Sequence, residues 1–208
     1  MRIGYDGIML RLYYSAMTSA FRCRWALEET GLSHEVIHLS LARAEHKSPE
    51  YLKIHPLGSV PALVDGDQVV LESAAICMYV AEKDPERRLV PAEGSISRAH
   101  YYQWILFSMT NLDSVVHGPY LRAFPRPPEL RSGTATDDER TALRRCLALL
   151  DDRLAAGWVL GQQFTTADII LGGLLEWADV CGLLRGADTA ARYLARLRER
   201  PAFQRAAD

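Results

Sequence analysis

The segment Gly58-Ser59-Val60-Pro61-Ala62-Leu63 constrains the fold of this chain more than any other stretch. Proline has no N–H to give to a ladder, so a strand that contains it must begin there, and the bond before it is open to the cis form. Pro61-Ala62-Leu63-Val64 and Gln68-Val69-Val70-Leu71 flank Asp65-Gly66-Asp67, the signal of a β-hairpin. A helix follows, opened by Ser73 and carrying Ile76, Tyr79 and Val80 toward a core. Upstream, Met9 to Tyr14 has strand composition, Ser15 to Ser19 forms a polar turn, and a helix runs through Leu27 to a cap near Gly31. His34 to Leu39 reads as a second strand, which makes a right-handed βαβ unit, and a short helical piece spans Pro49 to Ile54. The expected plan is β-α-β followed by β-β-α on one sheet.

Beyond this the pattern becomes helical. Asp84 to Gly94, with two prolines and a glycine, reads as a connector. This divides the chain into an α/β domain over 1–84, a linker over 85–96 and an all-helical domain over 97–208. Tyr101, Trp104, Ile105, Ser108, Leu112 and Val115 recur at helical spacing, and Leu143, Leu147, Leu150 and Leu154 do so in a second helix. Pro125-Arg126-Pro127-Pro128 is expected to be a non-helical, exposed bend. Ile169 to Leu184 is apolar on most faces and belongs at the centre of a bundle.

Composition narrows the function classes. Of 208 residues, 49% are hydrophobic, ample for a core and too many for a disordered chain. Basic and acidic residues number 24 and 26, a net charge of -2, which offers no broad positive field to nucleic acid or anionic lipid. No apolar run approaches the roughly 20 residues of a bilayer span, and the start lacks a secretory core. Cys23, Cys77, Cys146 and Cys181 are scattered, with neither zinc-ligand spacing nor a disulfide framework, and suit reduced thiols in a cytosol.

Two elements carry chemistry. A cis Val60–Pro61 bond turns the Val60 backbone outward, where its N–H and C=O can pair with an extended peptide by strand addition. Glu72-Ser73 stands at a strand-to-helix junction, where free N–H groups and the helix dipole attract a carboxylate, Ser73 adds a hydroxyl and Glu72 can hold an ammonium. An ordinary helix cap is the competing reading of that pair. Together they fit the two ends of one amino acid beside an extended backbone.

These residues resemble a known family. Gly58 to Leu63, the Asp-Gly-Asp hairpin and Leu71-Glu72-Ser73-Ala74-Ala75-Ile76 look like the glutathione-binding half of glutathione S-transferases. His46-Lys47-Ser48-Pro49-Glu50-Tyr51-Leu52 and His55-Pro56-Leu57-Gly58 are similar to the same family, as are Phe164-Thr165-Thr166-Ala167-Asp168-Ile169 and Arg200-Pro201-Ala202-Phe203. The resemblance implies a thioredoxin-like domain, an all-α second domain, a homodimer, a cytoplasmic enzyme, and glutathione as co-substrate with no metal. Carried over by position, Val60 meets the cysteinyl unit with Ser59 and Pro61 beside it, Glu72 and Ser73 hold the γ-glutamyl end, and His46 and Lys47 meet the glycine carboxylate. Ser59 stands where many members have lysine or glutamine. Residues 1–8 have no counterpart in the compact bacterial pattern and are expected to be disordered or to join dimer contacts.

A glutathione thiol, with a pKa near ~8.5, needs roughly 2.7 kcal/mol of preference for the thiolate to fall by two units. One hydroxyl bonded to the anion supplies about 1.5–3 kcal/mol, and a helix N-terminus about 0.3–1 kcal/mol more. The resemblance therefore points to a hydroxyl in the turn before the first helix. Thr18 is the first candidate, by count from the serine-type branch, and Ser19 the second, by count from the cysteine-type branch; helix capping competes for both. Tyr13 and Tyr14 are strand residues, although a tyrosine here could substitute for that hydroxyl if it lies near the sulfur; Arg22 and Arg24 are surface or interface charges, Cys23 a buried small hydrophobe, and Tyr51 either a plug into a partner subunit or local packing. Met17, Trp104, Ser108, Asn111, Leu112 and Val115 are the expected wall for a hydrophobic electrophile. Thr165 and Asp168 form a capping box with Phe164 and Ile169 as its staple, a folding motif. The implied activity is thiol transfer to that electrophile. The alternatives are a glutathione-dependent isomerase, dehalogenase or peroxidase, or a non-catalytic glutathione-binding module.

Overall fold

The computed structural model describes residues 9–124, 126–131 and 133–208. One four-stranded sheet runs in the order β2-β1-β3-β4. β1 (Leu10–Tyr14) leads to α1 (Ala20–Thr30), and β2 (His34–His38) returns parallel to β1, pairing Leu10 with His34 and Tyr14 with His38. A 3₁₀ turn at Glu45–Lys47 and α2 (Pro49–Leu52) cross to β3 (Ala62–Asp65), which runs antiparallel to β1. β4 (Gln68–Leu71) completes the hairpin, and α3 (Ser73–Lys83) covers the same side of the sheet as α1. Both units expected from the sequence are present, in one mixed sheet.

Residues 84–95 carry the chain into α4 (Ile96–Phe107), a π-helical segment at Ser108–Leu112 and α5 (Asp113–Ala123). α6 (Pro128–Arg131), α7 (Asp137–Leu147), α8 (Asp151–Ala156), α9 (Thr166–Val180), α10 (Asp188–Arg198) and α11 (Pro201–Ala207) follow. Two expectations need correction. The leucines at 143, 147, 150 and 154 are all buried, but not on one helix: Leu143 and Leu147 belong to α7, Leu150 to the turn at 148–150 and Leu154 to α8. Pro128 is not part of a wholly non-helical bend; it starts α6, where a missing N–H costs nothing. Pro125 and residues 1–8 lie outside the described residues.

α1 is held between the sheet and the helical domain. Its Trp25 is fully buried, with the Phe203 ring of α11 at 4.9 Å, and Glu29 grips Arg200 through two bonds of 2.6 and 2.7 Å. The connector is pinned as well: Thr166 donates its N–H to the Leu89 carbonyl at 3.0 Å, and Arg98 reaches Glu82 at 2.7 Å and the Pro91 carbonyl at 3.0 Å. This docking brings the N-terminus of α1 against α5 and α9, where the candidate site forms.

Candidate functional site

Two cavities of about 220 and 200 Å³ share a wall at the start of α1. The second is lined by Ser19, Arg22, His55, Ser59, Val60, Pro61, Glu72, Ser73, Met109, Asp113, His117 and Trp177. Five residues expected to meet glutathione, Ser59, Val60, Pro61, Glu72 and Ser73, thus face one groove together with one of the two candidate hydroxyls.

The local reasons are legible. The Val60–Pro61 bond is cis, and the ladder starts only at Ala62, which faces Tyr13 on one side and Leu71 on the other. β3 is an interior strand, so an added peptide could pair only at its head, at Val60, and not along a sheet edge. Gly58 makes the approach possible. Its φ is +54°, and a Cβ there would lie 2.6 Å from the His46 carbonyl oxygen. Tyr51, buried, donates its hydroxyl to the Ser59 carbonyl at 2.6 Å and packs on Tyr13 at 5.3 Å, so its role within this chain is local packing.

Glu72 sits at φ 67°, a conformation that costs a non-glycine residue of order 1 kcal/mol or more and clusters at functional sites. Its carbonyl starts α3 by accepting the Ile76 N–H at 2.9 Å, while its side chain makes no capping bond. The exposed carboxylate is therefore not explained as a cap. Ser73 is buried at the first turn of α3, beside the groove, and its carbonyl accepts the Cys23 thiol at 3.4 Å. Burial pushes that thiol up, and the neighbouring Cys77 pushes it further, so Cys23 is an inert core group.

His46 and Lys47 do not line either cavity. Lys47 donates to the carbonyls of Leu57 and Gly58, each at 2.9 Å, and so clamps the loop that precedes Ser59. His55 lines the groove, is buried, and has no partner for its Nδ1 among the described residues. It lies within a segment whose family resemblance was plain, but no spacing singled out its ring.

Thr18 and Ser19 part company. The Thr18 hydroxyl donates to the Ser15 carbonyl at 2.7 Å and accepts the Ala20 N–H at 3.2 Å, the contacts of a local cap. Thr18 lines only the first cavity, whereas Ser19 lines both and its side chain makes no capping bond.

The first cavity is bounded by Tyr14, Met17, Phe21, Tyr120, Trp177 and Phe203 among others, an aromatic wall. Met17, at φ 60°, gives its carbonyl to the Tyr120 hydroxyl at 2.7 Å, and Tyr120 stacks on Trp177 at 4.5 Å. Of the six residues expected for this wall, only Met17 is there. Trp104, Ser108 and Leu112 are buried in the helical core, Asn111 is exposed, and Val115 packs against the core. The most apolar stripe of α4 and α5 turns inward, and the groove is faced by the adjacent row Met109, Asp113 and His117. Tyr120, Trp177 and Phe203 come from three helices, and no spacing along the chain connects them.

The expectation for Arg22 and Arg24 also changes. Arg22 is 1% exposed and borders both cavities; Arg24 is half-buried, bonded to the Arg205 carbonyl at 2.9 Å. Among the described residues no cluster of three potential metal ligands occurs, and no helix is long and apolar enough to cross a membrane.

With this geometry in view, comparison with known proteins is specific. Residues 10–82 match the glutathione S-transferase N-terminal domain and residues 133–203 the C-terminal domain. The chain is 30% identical over 200 residues to the glutathione S-transferase GstA of Escherichia coli O157:H7, covering 94% of this chain and 96% of that one. It is 47% identical to a zeta-class glutathione S-transferase of Euphorbia esula over 85 residues, 40% of this chain and 38% of that protein. Among solved structures, glutathione S-transferase-I bound with the ligand lactoylglutathione superposes with a TM-score of 0.79 at 29% identity, over 96% of this chain and 98% of that one.

Proposed function

The chain belongs to the glutathione S-transferase family, and on that premise we propose that it ionises glutathione with Ser19 and delivers the sulfur to a hydrophobic electrophile. The observation that carries this reading is the shared wall. Ser19, Arg22 and Trp177 border both the groove beside Val60 and the aromatic cavity, so a sulfur held at that line faces both substrates.

In this reading the cysteinyl unit pairs with the Val60 backbone, and the Glu72 carboxylate takes the γ-glutamyl ammonium. Ser73 and the first N–H groups of α3 take the adjacent carboxylate. The thiol gives its proton to water, and the Ser19 hydroxyl and the N-terminus of α1 stabilise the anion left behind. The thiolate attacks the electrophilic carbon, a C–S bond forms, and the leaving group departs with its electron pair. Rate comes from thiolate concentration at neutral pH and from proximity. Lys47 supports the groove indirectly, through its bonds to the Leu57 and Gly58 carbonyls in the loop that shapes it. The enzyme works as a cytoplasmic homodimer; its four cysteines are free thiols.

The test is a pair of single variants. Ser19→Ala should raise the pKa of the bound thiol and lower kcat by about ten- to a hundredfold, the loss of one hydrogen bond to a charge. Thr18→Ala should lower thermal stability and leave the thiol pKa in place. Turnover and ultraviolet thiolate absorbance unchanged in Ser19→Ala would remove that hydroxyl from the mechanism.

A further inference from the structure

Arg22 is a buried charge with few polar partners among the described residues. It is 1% exposed, and its Nε has no hydrogen-bond partner among the described residues. What surrounds it is soft: the Met109 sulfur lies 3.1 Å from Nη1, and the Trp177 ring centre lies 5.4 Å from the guanidinium carbon. Gly173 of α9 makes room for the stem, since a Cβ there would stand 3.3 Å from the Arg22 Cβ and 3.4 Å from Nε. Burial pulls the guanidinium pKa down, while Asp113 and the thiols of Cys23 and Cys77 favour its charged form from a distance. A cation taken out of water costs several kcal/mol unless an anion or a set of acceptors compensates it. No carboxylate in ion-pair contact does so among the described residues. The remaining place for an anion is the line where the two cavities meet, which Arg22 borders from both sides.

We propose that Arg22 is an electrostatic positioning residue for the ionised glutathione sulfur, its guanidinium completing its charge balance only when the thiolate is bound. The inference rests on the proposed function and deepens it, because it assigns a second source of thiolate stabilisation beside Ser19. Other charged or titratable groups face the same region. Asp113 and His117 come from α5, Glu72 from the start of α3, His55 from the loop after α2, Cys23 and Cys77 from the buried side, and Glu176 from α9, where Arg198 holds it at 2.6 Å. With Glu72 taken up by the γ-glutamyl ammonium, Asp113 is the carboxylate left to raise a nearby thiol's pKa, and a cation at the junction opposes it.

The experiment measures the pKa of the enzyme-bound thiol by ultraviolet absorbance, the pH profile of kcat/KM with an aromatic electrophile, and glutathione affinity by calorimetry. Arg22→Met should raise the bound-thiol pKa by about one unit or more and lower kcat/KM roughly tenfold below that pKa, with activity recovering as pH rises. Glutathione affinity measured below the thiol pKa should stay within about twofold. If Arg22→Met does not fold, Arg22→Gln decides: it keeps a polar side chain beside the Met109 sulfur and the Trp177 ring but removes the charge, and the thiol pKa should rise in the same direction. A bound-thiol pKa equal to wild type in the folded variants, with activity reduced evenly at every pH, overturns the inference and leaves Arg22 a packing residue. Wild-type protein that binds no glutathione overturns the proposed function and this inference with it, so the two failures are distinct.

Discussion

Thr18 and Ser19 carry the same functional group one residue apart, and hydrogen bonding separates their roles. The threonine hydroxyl is engaged at both lone pair and proton by Ala20 and Ser15, while the serine borders both cavities. A second residue, Asp65 at the end of β3, shows how charge fixes the hairpin beneath the groove. Burial pushes its carboxyl up, but the Lys83 ammonium and the Tyr79 hydroxyl of α3, the latter at 2.5 Å, outweigh that and hold it below the usual carboxylate range. A carboxyl lowered on folding adds stability above its unfolded value near ~3.9, and that contribution is lost as pH falls through the folded value. Asp65→Asn should therefore melt below wild type at neutral pH, and the two melting curves should converge as pH falls below the unfolded value of ~3.9 and through the lowered folded one. A gap that persists unchanged into acid would show that the ion pair is not its source.

Among the elements, α9 carries the bundle and depends on its first turn. Asp168 is fully buried, and burial pushes its carboxyl up against four donors that pull it down: the N–H groups of Val159 and Thr165, each at 2.7 Å, and the hydroxyls of Thr165 at 3.1 Å and Tyr193 at 2.5 Å. Phe164 and Ile169 occupy the staple positions on either side. The sequence signal was local and complete here, since a cap needs only residues three apart, yet the Val159 and Tyr193 contacts came from distant chain. Asp168→Ala leaves several buried donors unpaired and should cost about 3 kcal/mol, a fall in Tm of roughly 6–12 °C, with kcat of the folded fraction kept. An unchanged Tm in differential scanning calorimetry would contradict this account of the helix start.

At the scale of the molecule, two domains meet along α1, and the site exists only where they meet. Assembly adds a further level. Tyr102 and Leu106 lie one turn apart on α4 and are 41% and 62% exposed, while Leu57 beside the groove is 76% exposed. Apolar side chains of that size suit an interface with a second copy, as expected for a homodimer of this family. Leu106→Glu should shift the protein to monomer in sedimentation or light scattering, with glutathione binding per chain largely kept. An unchanged mass would overturn the assignment of this face to a second copy.

The chain's own order of residues determined the strands, the cis-proline junction, the Glu72-Ser73 pair and the start of α9. Each depends on neighbours a few positions apart, and hairpins, caps and proline geometry act over that range. The aromatic cavity and the burial of Arg22 were decided by the packing of α1 against α9 and α11, with Met109 closing on Arg22 and Tyr120 on the Met17 carbonyl. A helix shows in sequence which stripe is apolar; it does not show which neighbouring row will face a cleft rather than solvent. Tyr120, Trp177 and Phe203 are therefore brought together by tertiary contacts alone, and an arginine flanked by cysteine and phenylalanine reads as a surface charge until the helices close over it.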